Sequence, residues 1–251
     1  MAATKATSAL VKRGESNFAI IDDPEAKDVM LGAFEQLGLS NFQLTRLRIP
    51  AGGMTAWEVE SLEGTRVEQE LDVVILAMKG NQKSWWAQPI EEAGGGAPPS
   101  CSSSDGRTGF GINHLGDDAV AGEHSCQECA WNQFGSARNG GNGKDCSDFA
   151  LLFFFTEGSR IPSLLMVPAT SLRKLQGYVL KLIDAGKRME GCITTMRLIK
   201  AQSQGGIQYS QLELGWKADL DDEAVASMRE VSEEFRKRIS DFDAFTPKDE
   251  E

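Results

Sequence analysis

The chain of 251 residues lacks any long apolar run. A transmembrane helix needs about 18 or more consecutive apolar residues, and no segment approaches that length. The first residues, MAATKATSALVKRG, also lack the apolar stretch of a secretory signal. We therefore predict a cytoplasmic protein that does not enter a membrane.

Catalytic signatures are missing as well. The sequence contains no G-x-S-x-G motif, no P-loop and no Rossmann fingerprint. It has only two histidines to supply acid–base chemistry. A metal-dependent nuclease would need a cluster of carboxylates, and none is recognisable. We predict that the protein is not an enzyme.

The five cysteines are an odd number in a chain without an export signal. Because cytosolic thiols are kept reduced, a disulfide framework is not expected, and clustered cysteines indicate a metal site instead. Four of them lie in a segment, about 89–148, that is rich in Gly, Ser and Asn and poor in aliphatic residues. Metal binding can supply the folding free energy that such a segment lacks.

The spacing of these cysteines favours zinc. Cys126 and Cys129 form a C-x-x-C pair, which can chelate one ion from a single turn. With Cys101 and Cys146 they predict one structural Zn²⁺ bound by four thiolates. Unrelated thiols in a disordered loop are the alternative. A catalytic zinc of the deaminase type is excluded because the H-x-E and P-C-x-x-C motifs are missing.

Other residues near the cluster allow variations on this site. His114 or His124 could replace one cysteine as a ligand, although a histidine in a Gly-rich loop is more often solvated. Cys192 lies in the strand-like run CITTMRLIK and is interpreted as a small hydrophobic core residue.

Periodicity predicts a mainly β protein of the α+β class. Strand-like runs from residue 42 to residue 87 precede the cysteine segment, and a strand pair, a helix, a hairpin and a last helix follow it. This order fits an OB-like antiparallel Greek-key barrel with a zinc-binding insertion and flanking helices. A β-sandwich is the competing architecture. The predicted regions are a flexible arm over 1–17, the OB-like domain with its insertion over 18–218, a C-terminal helix over 219–240 and an acidic tail over 241–251.

Net charge does not exclude a nucleic-acid partner. The formal charge of −11 arises outside the centre, since residues 71–218 carry 14 basic and 14 acidic side chains while 219–251 carry 5 and 12. A neutral central region can still present a basic groove to phosphates.

Three blocks together carry a resemblance to a known class of proteins: PPSCSSSDGRTGFG, then CQECAWNQFGS followed by GKDC, and LLFFFTEGSRIPSLLMVPATS. They resemble phage-type single-stranded DNA-binding proteins in which a four-cysteine zinc element is inserted into an OB-fold. The arrangement is also similar to the large subunit of replication protein A. The resemblance implies DNA replication or recombination as the setting, and host cytoplasm if the protein is phage-encoded.

The end of the chain adds to this resemblance. The segment SDFDAFTPKDEE is similar to the acidic tails by which single-strand-binding proteins contact replication or recombination proteins. A tail that only improves solubility is the alternative.

Sequence-independent binding of single strands needs aromatic platforms for bases and cations for phosphates. We predict that these are supplied from the early strands and from the closing hairpin with its preceding turn. The predicted contacts are Trp57, Lys79, Lys83, Trp85, Trp86, Lys187, Arg188, Arg197, Lys200 and Tyr209. The alternative function is a protein–protein adaptor that is stabilised by zinc and does not bind nucleic acid.

Overall fold

A computed structural model describes most of the chain. The described residues are 10–12, 15–23, 25–36, 44–88, 98–112, 121–138, 140–203 and 205–239. The predicted flexible arm lies partly outside them, and the predicted acidic tail over 241–251 lies wholly outside them.

Four α-helices occur in the described part of the chain. They are α1 (Ala19–Asp22), α2 (Ala26–Gln36), α3 (Ala169–Asp184) and α4 (Asp222–Arg238). Asp221 caps α4 by accepting a hydrogen bond from the Ala224 amide, and three basic residues occupy the last turn, as the helix dipole favours. None of the helices described is long and apolar enough to cross a membrane.

Twelve strands are described, and they hold more of the chain than the helices do. They are β1 (Leu10–Val11), β2 (Arg46–Leu47), β3 (Trp57–Ser61), β4 (Gly64–Glu68), β5 (Glu70–Trp85), β6 (Cys101–Ser103), β7 (Thr108–Ile112), β8 (Ala121–Ser125), β9 (Ser147–Thr156), β10 (Ser163–Pro168), β11 (Cys192–Gln202) and β12 (Gln208–Leu220). Strands β3 and β4 pair only with each other, and the other ten belong to one sheet.

The protein is a mixed α/β protein with 41% strand and 27% helix, and its main sheet is large, open and mixed. The predicted combination of many strands with flanking helices is therefore confirmed. Barrel closure is not found among the described residues. The sheet also contains parallel pairs, β1 with β12 and β2 with β10, whereas the predicted barrel is antiparallel throughout.

Contacts divide the chain into two units. Unit 1 comprises residues 1–78 and 152–240, and unit 2 includes residues 79–151. The predicted zinc insertion, about 89–148, lies within unit 2. Strands β5 and β9 each begin in one unit and end in the other.

The core of unit 1 lies between the sheet and helices α2 and α4. Phe235 of α4 packs edge-on against Phe153 of β9, with ring centroids 5.2 Å apart, and also contacts Phe34 of α2. Ser232 of α4 donates a hydrogen bond of 2.7 Å to the carbonyl oxygen of Leu76 in β5. The apolar face of α4 is thus fixed on the sheet by both packing and a buried hydrogen bond.

Helix α3 covers the β11–β12 hairpin. Tyr178 and Thr194 share a buried hydrogen bond of 2.7 Å between their hydroxyl groups. The helix begins at Ala169 after Pro168, so Ser171 lies inside its first turn. Its hydroxyl group accepts a hydrogen bond from the Leu212 amide, so the serine joins α3 to β12.

Unit 2 contains a small apolar cluster among its described residues. Residues 83–85 of β5 pair with β6, and β7 and β8 extend this antiparallel arrangement. The buried cluster consists of Trp85, Cys101 and Cys146, with Ile112 and Trp131 packed against it. A cluster of this size buries little apolar surface.

Candidate metal centre and nucleic-acid interface

The four predicted zinc ligands come from three separate segments of unit 2. Cys101 begins β6, Cys126 and Cys129 lie in the turn after β8, and Cys146 directly precedes β9. All four are buried, and all four line the same small cavity of about 10 Å³. A cavity of that size holds about one water-sized sphere. The fold therefore gathers thiols from across 45 positions of sequence around the space of a single ion or water.

Backbone hydrogen bonds position these cysteines. The Cys126 amide donates to the Arg107 carbonyl oxygen at 2.7 Å, and the Cys146 amide donates to the Trp131 carbonyl oxygen at 2.9 Å. Asp105 closes the turn between β6 and β7 by accepting hydrogen bonds from two backbone amides and from the Ser103 hydroxyl group. A polar sequence can thus build a defined site without a large apolar core.

Burial favours the neutral thiol form of Cys101, Cys126 and Cys146. Burial and, to a lesser extent, nearby thiols raise the pKa of Cys101 to about 11 and that of Cys146 to about 12, although Lys83 partly lowers the pKa of Cys146. Burial also raises the pKa of Cys126. Four thiolates could share this space only around a positive ion, which would offset both burial and mutual repulsion.

Within the described residues, no group of three or more His, Cys, Asp or Glu side chains is already arranged to hold a metal ion. Metal binding would therefore require the thiol groups lining the cavity to turn towards a common centre. Side-chain rotation about χ1 moves a sulfur atom without moving the strands and turns that carry it.

Two tryptophans cover the cysteine cavity. The ring of Trp85 stacks on that of Trp131, with centroids 3.6 Å apart and planes 8° from parallel. The Trp85 indole N–H donates a hydrogen bond of 2.5 Å to Asp145, and the Arg138 guanidinium lies 5.2 Å from the Trp85 ring. Trp85 was predicted as a DNA platform, but the structure places it in the cover of the cavity.

Lys83, another predicted DNA contact, also belongs to the surroundings of the cysteines. It pairs with Asp148 and donates a hydrogen bond of 3.1 Å to Asn132. Lys144 binds the same two partners. Burial raises the pKa of Asp148, but hydrogen bonds from Lys144 and Lys83 outweigh it and lower that pKa overall. The Lys83 ammonium group thus supports the cavity wall.

The remaining aromatic candidates differ in exposure. Trp57 is 0% exposed, and its indole N–H donates to the Met196 carbonyl oxygen at 3.3 Å, so it is a core residue of unit 1. Trp86 and Tyr209 are half-buried. Trp57 therefore cannot stack on a base without unfolding its surroundings.

The basic candidates are mostly engaged with carboxylates. Arg197 pairs with Glu70 at 2.7 Å on the exposed face of the hairpin, and Arg188 pairs with the buried Glu190 at 3.5 Å. Lys200 is exposed and lies against Gly53, while Lys79 is half-buried. Among the cations of unit 1 that were predicted, Lys187 alone lines a large groove.

This groove lies between α3 and β12 and has a volume of about 630 Å³. We call it the α3–β12 groove. Its lining is Arg173, Lys174, Gly177, Tyr178, Lys181, Leu182, Ala185, Lys187, Glu213, Leu214 and Trp216. Four of these side chains are cationic and one is anionic.

Trp216 provides an aromatic surface in the α3–β12 groove. It is 37% exposed, and its indole N–H donates to Asp219 at 2.9 Å. The Lys187 ammonium group lies 4.8 Å from the ring and also pairs with Asp219. The two contacts hold the ring in place while leaving part of it open to solvent.

The groove residues other than Lys187 were missed in the sequence because they are far apart in it. Arg173, Lys174 and Lys181 lie on α3, and Trp216 follows some 35 positions after the last of these. The sequence did contain a signal for this groove, because several cations lie on the predicted helix that precedes the Trp-containing hairpin. Only the packing of α3 on β12 brings them into one groove.

The chain matches no protein-family model, no curated protein and no solved structure. The resemblance to phage-type single-stranded DNA-binding proteins therefore stays a prediction.

Proposed function

We propose that the protein binds single-stranded DNA without sequence preference, in DNA replication or recombination, and that the α3–β12 groove is the binding site. The observation that carries this proposal is the convergence of four cations and a partly exposed tryptophan in one groove. Cations neutralise phosphates, and an aromatic face stacks on any base.

Trp216 favours single strands over duplexes. Base faces are open for stacking on a side chain only when the bases are unpaired, and such stacking contributes about 1–3 kcal/mol per base. The ring is also fixed before binding by Asp219 and Lys187, so little side-chain entropy is lost when a base docks. The proposal requires an open groove and does not depend on closure of an OB-like barrel.

In this proposal a structural Zn²⁺ stabilises unit 2. Cys101, Cys126, Cys129 and Cys146 would bind it, because they are buried around one cavity and their thiol set matches a closed tetrahedral site. Four protein ligands leave no open position for a substrate or a water, which fits a structural role. The metal would supply the stability that the small core of Trp85 and its neighbours does not.

The DNA proposal is tested by titrating labelled dT oligomers at low salt and following fluorescence anisotropy. Trp216→Ala should weaken binding by about 5- to 150-fold, the equivalent of 1–3 kcal/mol. Tyr209→Ala is the matched control, since Tyr209 is an aromatic residue of the same strand that does not line the groove. Equal effects of the two substitutions, or no binding by the wild-type protein, would contradict the proposal.

The zinc proposal is tested by elemental analysis of protein purified without added metal. One zinc per chain is expected for the wild type and for Cys192→Ser, whose cysteine does not line the cavity. Cys126→Ser should lose the metal. A wild-type protein that contains no metal and whose thiols all react freely would refute this part of the proposal.

A protein–protein adaptor is the second candidate, and one observation favours it. Leu180 and Ile183 are 65% and 63% exposed and lie three residues apart on α3, so they present apolar surface on the same helix that lines the basic groove. An acidic amphipathic peptide would suit that combination. Binding of such a peptide together with failure to bind any oligonucleotide would establish the adaptor function. Contacts between the acidic tail and replication or recombination proteins remain part of the DNA proposal.

A further inference from the structure

His124 lies directly beside one of the four cysteines. Its Nε2 atom is 3.4 Å from the Cys101 sulfur, and its Nδ1 atom is 3.3 Å from the Gly122 carbonyl oxygen. The residue belongs to β8, two positions before Cys126, and it lines the same cavity as the thiols. The cavity therefore has five candidate donors, one more than a tetrahedral zinc ion takes.

The strand pairing leaves room for this contact only because residue 109 is glycine. Gly109 of β7 stands opposite His124 in the β7–β8 register. A Cβ atom added at Gly109 would lie 2.7 Å from His124 Nε2 and 3.2 Å from the Cys101 sulfur. The backbone of β7 is thus packed against the imidazole and the thiol at the same point.

The separation of the two donor atoms fits a shared metal ion. With Zn–S of about 2.3 Å and Zn–N of about 2.0–2.1 Å, two ligands at the tetrahedral angle stand about 3.5 Å apart. The Cys101 sulfur and His124 Nε2 are 3.4 Å apart. Both atoms can therefore reach a common metal position, and a small side-chain movement decides which of them completes the coordination of the ion.

The second nitrogen of the ring also suits a metal ligand. A protonated Nδ1 donates to the Gly122 carbonyl oxygen and leaves the Nε2 lone pair directed at the thiol cluster. Metal-ligating histidines commonly donate their other ring N–H to a backbone carbonyl in this way, which fixes the tautomer and the ring orientation.

We propose that His124 is a fifth donor of the metal centre and shares the fourth coordination position with Cys101. This inference rests on the zinc site proposed above. Cys126, Cys129 and Cys146 hold the ion throughout. In the exchange the Zn–S bond to Cys101 breaks, the released thiolate takes a proton from water, and a Zn–N bond to Nε2 forms. The centre loses one negative charge and keeps four ligands.

Because of this exchange, the centre would keep its metal ion when the Cys101 thiolate is lost. A zinc ion bound by four cysteines carries a net charge of −2, and replacing one thiolate by neutral imidazole reduces it to −1. Oxidation or alkylation of Cys101 would then leave the metal in place, whereas modification of any of the other three would release it.

The experiment uses Co²⁺ in place of zinc, because its thiolate charge-transfer absorption reports the number of bound sulfurs. Four single variants of the full chain, Cys101→Ser, His124→Ala, Cys126→Ser and Cys192→Ser, are compared with the double variant Cys101→Ser/His124→Ala. Cys126→Ser is the matched control for loss of one thiolate, and Cys192→Ser controls for substitution of a buried cysteine away from the cavity.

Cys101→Ser should keep one Co²⁺ per chain with the charge-transfer absorption lowered by about one quarter, since three of four sulfurs remain. His124→Ala alone should keep the wild-type spectrum. The double variant and Cys126→Ser should lose the metal. Loss of metal from Cys101→Ser alone, or its retention by the double variant, would overturn the role of His124. Loss of metal from Cys101→Ser would also indicate that Nε2–H merely donates a hydrogen bond to the Cys101 sulfur. A wild-type chain that binds no Co²⁺ would instead refute the zinc site itself.

Discussion

The cations of the α3–β12 groove predict how DNA affinity should respond to salt. Arg173 and Lys181 make no ion pair within the part of the chain that the structure describes, whereas Lys174 and Lys187 each face a carboxylate. Each phosphate contact with a single strand contributes about 0.7 to the negative slope of log Kobs against log salt concentration. The slope should therefore lie between about −1.4, for two contacts, and about −2.8, for four.

Replacing the two cations without ion pairs gives the sharpest measurement of this effect. Arg173→Ala/Lys181→Ala should make the slope less negative by about 1.4 and weaken binding most at low salt, because two released counterions are lost. The assay is a dT-oligomer anisotropy titration at salt concentrations from about 50 to 200 mM. Lys27→Ala/Arg229→Ala is the control, since it removes the same charge from surface ion pairs outside the groove. If both double variants shift the slope equally, or neither does, the groove does not contact the phosphates.

Three further expectations concern the core of unit 1. Trp57→Phe should lower the free energy of unfolding by about 1–2 kcal/mol, because it removes the buried indole hydrogen bond to Met196, and should leave the DNA affinity of folded protein unchanged in the same titration. Ser232→Ala should cost about 1 kcal/mol in urea denaturation, since the Leu76 carbonyl loses a buried donor. Burial raises the pKa of Cys192 to about 11 from an ordinary value of 9.0, so the folded state keeps its proton where the unfolded chain has lost it. Stability should therefore fall as pH rises from about 9 to 11, and less so in Cys192→Ala.

Local patterns in the sequence predicted the helices and the hairpin well. The acidic start and basic end of α4 and the apolar face of α3 both mark real helices. The hairpin predicted before the last helix is present as the antiparallel pair of β11 and β12. These features depend on neighbours within a few residues, and period and capping chemistry are enough to reveal them.

The arrangement of the sheet could not be inferred in the same way. Strand β1 pairs with β12 and β2 pairs with β10, and each pairing joins segments more than a hundred residues apart. Short two-residue strands such as these carry no periodic signal. Because a barrel and an open sheet use the same alternating strands, only these distant pairings decide between them.

The same limit explains why the sequence predicts Trp57 and Trp85 as DNA contacts although the structure buries both side chains. A tryptophan in a strand can point to either face of the sheet, and the sequence does not tell which of the two faces is buried. Trp57 and Trp85 both point into cores, and Trp85 needs Asp145 and Trp131, residues far along the chain, to complete its surroundings. Burying an indole requires a partner for its N–H, so such contacts become evident only in three dimensions.

The acidic character of the chain has a kinetic consequence for the proposed function. The net charge of −11 repels a polyanion at long range, while the α3–β12 groove attracts it at contact. Added salt screens both effects over a distance of about 10 Å at 0.1 M. The association rate should therefore depend weakly on salt, because the weaker overall repulsion offsets the loss of local attraction. Most of the salt dependence of the affinity should then appear in the dissociation rate. Stopped-flow mixing with dT oligomers separates the two rates. An association rate that falls steeply with salt would mean that the field of the whole chain steers DNA towards the protein, contrary to its net charge.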